Sequence, residues 1–260
     1  AKRISASLAM GSDSSLAAPS RLRTACRPPI CPRGPLLTSL LRPCHAPHPV
    51  PMPLPLFRLD PHLQRPWIAE RLARPAPPAA VGLSDGFRLP GREGHATPAA
   101  VLVPLVNRPA GLTVLLTERS RDLPDHPGQI SFPGGRIDPG DASAVAAALR
   151  EAREEVGLPP TAVTILGELS GYETVTGYSV RPIVGGVEPP FDLIPDPVEV
   201  ADVFEVPLAF LLEPANQQRH FRMLGDLRRD FFAIPYGERY IWGATAAMLM
   251  ILDRTLRAEP

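Results

Sequence analysis

The sequence predicts an α+β fold in which a mixed β-sheet lies between helices. Three observations carry this. Strand-length apolar segments outnumber helical ones, two main helices frame them, and no segment repeats at a fixed period. Residues 99–106 form a continuous apolar run of strand length and residues 111–117 form another, with turn chemistry at 107–110, so the two read as a hairpin. In 142–156, Val145, Ala148, Leu149, Ala152 and Val156 recur at i, i+3, i+4, i+7 and i+11, an amphipathic helix. Asp141 is placed as its N-cap and Gly157 as its terminator, with Pro159 and Pro160 preventing continuation. Residues 163–169, 178–187, 198–206, 219–224 and 229–234 read as strands. Residues 244–256 close the chain as a mostly apolar helix, with Tyr240 and Trp242 expected to pack in the core at its start and not to serve as base-stacking platforms. Upstream, 62–72 reads as a helix capped at Asp60-Pro61, with Leu63, Trp67, Ile68 and Leu72 near helical spacing.

A chain of 260 residues can bury a sizeable core, and its formal charge of zero hides a split. Residues 1–58 hold eight basic side chains, one acid (Asp13) and eleven of the 35 prolines. The remainder is acidic and would repel nucleic-acid phosphate, so nucleic-acid binding is not expected. No run of eighteen apolar residues occurs, which excludes a membrane-spanning helix. Cys26, Cys31 and Cys44 all lie before residue 59, so the body has no cysteine nucleophile or cysteine-ligated zinc; with His45 and His48 they match no zinc-finger spacing. Proline at alternate positions near residue 50 disfavours helix and sheet, so 1–58 is expected to be a disordered leader. It reads as a dispensable extension of a cytoplasmic protein. Its Arg- and Ser-rich, acid-poor composition keeps an organelle transit peptide as the alternative. Residues 59–96 would then supply a helix and linker, and 97–260 the functional domain.

The chemistry concentrates between Gly134 and Leu158, in the run GGRIDPGDASAVAAALREAREEVGL. Glu151, Glu154 and Glu155 fall within an arc of about 100° on the helix. Like charges at i, i+3 and i+4 cost about 0.2–0.5 kcal/mol per neighbouring pair, a repulsion that a divalent cation removes. Carboxylates without nearby His or Cys suit hard Mg²⁺ or Mn²⁺, which retain waters and bridge to phosphates. Gly134 and Gly135 allow backbone to approach a metal or phosphate closely.

These residues resemble the box of the Nudix hydrolase family, G-x5-E-x7-R-E-U-x-E-E-x-G-U with U apolar. Gly135, Arg150, Glu151, Glu154, Glu155, Gly157 and Leu158 match, and Ala152 occupies the first U position. Asp141 occupies the position of the first glutamate of the box, and eight residues instead of seven separate it from Arg150, so that spacing is longer by one. That insertion is similar to the coenzyme A pyrophosphatase-like branch. Its second signature, L-L-T-x-R-S-x3-R-x3-G-x3-F-P-G-G, matches Leu115, Leu116, Thr117, Arg119, Ser120, Gly128, Phe132, Pro133, Gly134 and Gly135, while Pro124 replaces the second arginine. The segments around Ser170 to Tyr178 and Tyr240 to Ala246 also look like that branch.

The resemblance implies a Nudix fold and a metal-dependent pyrophosphohydrolase. Glu151 and Glu155 would ligate the metal directly, Glu154 would ligate directly or through water, and the Gly135 carbonyl would complete the shell. Arg150 would hold the glutamates, a task for which a planar guanidinium is better suited than lysine. Glu154 is the nearest candidate general base, ahead of Glu168 and Glu173. Arg119, Arg136 and Gly134 would meet the substrate phosphates, with Arg121 equally readable as a surface residue and His126 as a loop-ordering one. The implied substrate is a small-molecule nucleotide, coenzyme A or acyl-coenzyme A, hydrolysed to 3′,5′-ADP and 4′-phosphopantetheine. ADP-ribose, dinucleotides or nucleoside triphosphates are alternatives, and a non-catalytic sensor would be expected to lack box carboxylates that are all present here. The sequence leaves a homodimer open.

Overall fold

Apolar residues on both faces of the central strands explain why their sequences run continuously apolar instead of alternating. In the computed structural model, which describes residues 54–81, 84, 85, 94, 96–123, 126–224 and 227–259, β1 (Thr97–Arg108) and β2 (Gly111–Arg119) form the expected antiparallel hairpin. One edge of β1 pairs in parallel with β7 (Tyr178–Val187) along nearly its whole length. The opposite edge is shared: β4 (Gly134–Arg136) pairs with Ala99, Ala100 and Val101, whereas β2 pairs from Leu105 onward. β5 (Val163–Glu168) and β6 (Tyr172–Glu173) join β7, and β3 (Ile130–Ser131) and β8 (Val200–Pro207) join β2, all antiparallel. A second antiparallel sheet holds β9 (Gln218–Leu224), β10 (Leu227–Tyr236) and β11 (Arg239–Trp242) in the order β11-β10-β9.

The pleat of β1 feeds two cores. Ala100, Leu102 and Val106 pack with Ala144, Ala147, Ala148, Ala152 and Val156 of α2 (Ala144–Val156). Ala99, Val103 and Leu105 pack on the other face with Ile68 and Leu72 of α1 (Pro61–Leu72) and Leu249, Ile251 and Leu252 of α4 (Ala244–Arg257). The short α3 (Leu208–Leu211) adds Leu208 and Leu211 to this second core. The predicted class therefore holds: α+β, with a mixed sheet between helices.

Several local expectations change. The N-cap of α2 is Ser143, whose hydroxyl accepts the Ala146 N–H (3.1 Å), and not Asp141. Asp141 is drawn instead to Arg150, a stronger attraction than a neutral cap. Asp60 precedes α1 without a side-chain cap, Leu63 is exposed, and Gln64 takes a buried position on that helix. Tyr240 and Trp242 lie in β11 rather than at a helix start, and Tyr240 is exposed. Residues 54–58, assigned above to a disordered leader, form a 3-10 turn with Leu54 and Leu56 buried in the second core. Residues 1–53, with the cysteines and the transit-peptide reading, lie outside the described residues, as does Pro124.

Candidate active site

Glu155 is a carboxylate on an otherwise apolar stripe. It follows Ala152 by three residues and Ala148 by seven, so the periodicity that buries those alanines buries it as well. Only 6 % of the residue is exposed. The small side chains of that stripe let α2 approach β1 and β4 closely. The approach is tight enough that a Cβ on Gly135 would overlap the Glu151 carboxylate, and one on Gly134 would strike the Ala100 carbonyl and Val101. Glu155 Oε2 accepts the Gly134 N–H (3.3 Å). The helix ends where expected: Gly157 adopts φ 72, and Leu158 N–H reaches back to the Ala152 carbonyl.

Arg150 organises the opposite side. Its Nε and Nη2 donate to the two oxygens of Asp141 (3.0 and 2.9 Å), its Nη1 to Glu151 (2.9 Å) and Glu154 (3.1 Å), and its Nη2 also to the Arg136 carbonyl (3.1 Å). One guanidinium thus ties the loop before α2, strand β4 and two carboxylates of the helix. Lysine could not reproduce this fork. Asp141 is held below the usual carboxylate range by its hydrogen bonds to Arg150.

Charge accumulates beneath the glycine pair. Burial, with the Glu151 charge second, pushes the Glu155 carboxyl up to about 8, against the counter-pull of Arg119 and the Gly134 N–H. Burial also raises Glu151, partly offset by Arg150. Glu199 adds like charge to both. No sequence spacing marks Glu199. It is brought in by the pairing of β8 with β2, where Ser120 N–H donates to its carbonyl (2.9 Å) and Arg119 faces Val200. Among the described residues, no three His, Cys, Asp or Glu groups converge into a ready-made cage. The donor set near Gly135 is nevertheless all oxygen, and the carboxyls of both Glu151 and Glu155 are pushed up by burial and by neighbouring carboxylates. That fits a hard divalent ion that keeps waters.

The structure brings together Gly134, Gly135, Arg150, Glu151, Glu154 and Glu155, with Glu154 the most exposed of the three glutamates. Arg119 ends β2 with its Nε buried and without a hydrogen-bond partner. Arg136 Nη2 donates to the Tyr178 hydroxyl (3.0 Å), a partner the sequence reading did not foresee. His126, at φ 54, and Gly128, at φ 69, shape the turn whose Gln129 carbonyl accepts the Arg119 N–H, in line with a loop-ordering role. Glu168 does not join this group; it forms two hydrogen bonds with Arg181 on the exposed β5–β7 surface.

A NUDIX domain profile matches residues 96–226. The chain is 44 % identical over 168 residues to the Nudix hydrolase NudL of Escherichia coli, covering 62 % of this chain and 84 % of that protein, and equally to NudL of Shigella boydii. The chain belongs to the Nudix hydrolase family. Among solved structures, the MutT protein of Methanosarcina mazei is 25 % identical over 46 % of this chain and 83 % of that one, with a TM-score of 0.38. A Caenorhabditis elegans Ap4A hydrolase is 24 % identical over 42 % and 80 %, with a TM-score of 0.38. As a Nudix pyrophosphohydrolase the protein acts on small-molecule nucleotides, and enzymes of this family use divalent metal ions. Strands β10 and β11 and helix α4 lie beyond the matched domain. Among the described residues no helix is long and apolar enough to cross a membrane.

Proposed function

We propose that this Nudix hydrolase cleaves the diphosphate bond of coenzyme A or its acyl derivatives, releasing 3′,5′-ADP and (acyl-)4′-phosphopantetheine. The observation that carries the metal-dependent reading is the buried Glu155 carboxylate beside Glu151 beneath the glycine pair. Glu151, Glu155, Glu154 and the Gly135 carbonyl would hold Mg²⁺ or Mn²⁺. When bound, the ion supplies charge neutralisation at the diphosphate and a more acidic water.

The remaining work falls to this chain's own side chains. Arg150 fixes Glu151 and Glu154 from one side while gripping Asp141 on the other, so the ligands are ordered before substrate arrives. Arg119 and Arg136 meet the diphosphate oxygens, and the open backbone at Gly134 lets the phosphate come close. Glu154, exposed and within reach of solvent, accepts the proton of the attacking water. Coenzyme A is favoured over other diphosphates by the linked signature from Leu115 to Gly135 and by the lengthened spacing to Arg150, where Asp141 supplies the carboxylate for the arginine.

The test is product analysis of coenzyme A, ADP-ribose and NADH with Mg²⁺ or Mn²⁺, alongside Glu155→Gln. Release of 3′,5′-ADP from coenzyme A, lost in the variant, is the expected result. Equal or faster turnover of ADP-ribose would overturn the substrate and leave the chemistry.

A further inference from the structure

The second sheet carries a feature that the diphosphate chemistry does not use. Its two faces differ because side chains alternate along a strand. Ile234 and Ile241, with Phe232, turn toward the core that contains α4. The opposite face carries His220 on β9, Phe231 on β10 and Trp242 on β11. These rings form one contiguous row: His220 and Phe231 stack at 5.8 Å and 27°, and Phe231 meets Trp242 edge-on at 5.7 Å and 70°. His220 is exposed, and Phe231 and Trp242 are only partly buried.

The row is strapped to both loops that border the candidate site. Arg229 lies two residues before Phe231 and so on the same face, and its Nη2 donates to Asp85 Oδ1 (2.7 Å). Asp85 also accepts the Tyr172 hydroxyl (2.9 Å) and the Val175 N–H (2.6 Å), which pins the turn leading to Tyr178, the partner of Arg136. At the other end, Gly243 follows Trp242 and lies beside Gln129, whose carbonyl accepts the Arg119 N–H. This aromatic shelf is therefore tied through Asp85 to the turn before Tyr178, the partner of Arg136, and through Gly243 to Gln129, the partner of Arg119.

We infer that the His220–Phe231–Trp242 shelf stacks the nucleobase of the substrate, making Phe231 and Trp242 specificity-determining residues. The inference rests on the proposed function in taking a nucleotide as the substrate. A heterocycle offers a planar π-face to such rings, whereas a pantetheine arm or a ribose does not, and base–aromatic stacking is tolerant of the base's exact edge. Arg119 and Arg136 would hold the diphosphate while the shelf takes the base at the nucleoside end.

Trp67 and Trp242 are the two tryptophans of the chain, so Trp67→Phe, in α1, leaves Trp242 as a local reporter. Its emission is titrated with 3′,5′-ADP, ribose 5-phosphate and 4′-phosphopantetheine in the presence of Mg²⁺. Saturable quenching by 3′,5′-ADP alone is expected, with the dissociation constant raised about tenfold by Phe231→Leu. Equal quenching by ribose 5-phosphate or 4′-phosphopantetheine would overturn the inference, as would no saturable change with 3′,5′-ADP. The titration needs no turnover. Cleavage of coenzyme A without quenching would sink the shelf alone, and quenching without cleavage would sink the proposed substrate alone.

Discussion

Gly135 lies against Glu151 so closely that even a methyl group on its Cα would occupy the space of the carboxylate. The glycine is fixed by β4 pairing with Ala100, and the backbone of Glu151 by α2 packing on the same strand, so what gives way is the end of the Glu151 side chain. Gly135→Ala is therefore expected to swing Glu151 out of place. A displacement of about 1 Å at a catalytic group can cost about 100-fold in rate. Metal titration and turnover should both weaken in Gly135→Ala while the far-ultraviolet circular dichroism is retained; normal turnover would show that Glu151 does not need this position.

Glu155 makes the metal-free protein sensitive to pH. Its carboxyl is raised from the usual 4.5 to about 8 in the fold, chiefly by burial, so the folded state favours the neutral form. The sign follows: this stabilisation is fully present below the unfolded value and is lost as pH rises toward about 8. Glu155→Gln stays neutral throughout. In chelator-treated samples the variant should match wild type near the acid end of that window and exceed it at the alkaline end. Saturating Mg²⁺ should restore the wild type there and leave the variant unmoved. Parallel melting curves for both proteins across the whole window would contradict a Glu155 carboxyl raised by burial.

Asp141 and Arg150 act as a unit. The two-pronged contact orders Arg150, and Arg150 in turn orders Glu151 and Glu154. Outer partners of metal ligands typically contribute 10–100-fold to metal affinity or activity. Asp141→Asn and Arg150→Lys are expected to lose about that much in Mn²⁺ affinity by calorimetry, and Asp141→Glu to recover part of it. Unchanged affinity in Arg150→Lys would reduce the guanidinium to a point charge.

Much of this architecture was legible because its signals were long. The apolar runs of β1 and β2 and the periodicity of α2 exceed the length at which strand and helix patterns separate, and Gly157 marks a helix end that few other residues permit. β3, β4 and β6 are two or three residues long, too short for any period, so the pairing that places Gly134 and Gly135 had to be seen in three dimensions. Asp141 looked like a cap because caps and ion-pair partners use the same residue types; Arg150, nine residues on, decided between them. Glu199 and the Tyr178 contact to Arg136 come from strand pairing between distant segments and leave no local mark.

The proline-rich start of the chain hides the last determinant. Alternating prolines near residue 50 suggested dispensability up to residue 58, yet Leu56 is completely buried among residues of α1 and α4. Leu→Ala at such a site costs about 2–5 kcal/mol. For a domain of this size that lowers Tm by about 2–4 °C for each kcal/mol. Leu56→Ala should therefore melt well below wild type, while its kcat at a temperature where both are folded should be unchanged, because Leu56 touches the core opposite α2 and not the carboxylates. A chain beginning at residue 54 should melt above one beginning at residue 59. Equal melting of those two truncated proteins would show that the turn at 54–58 adds nothing to the core it enters.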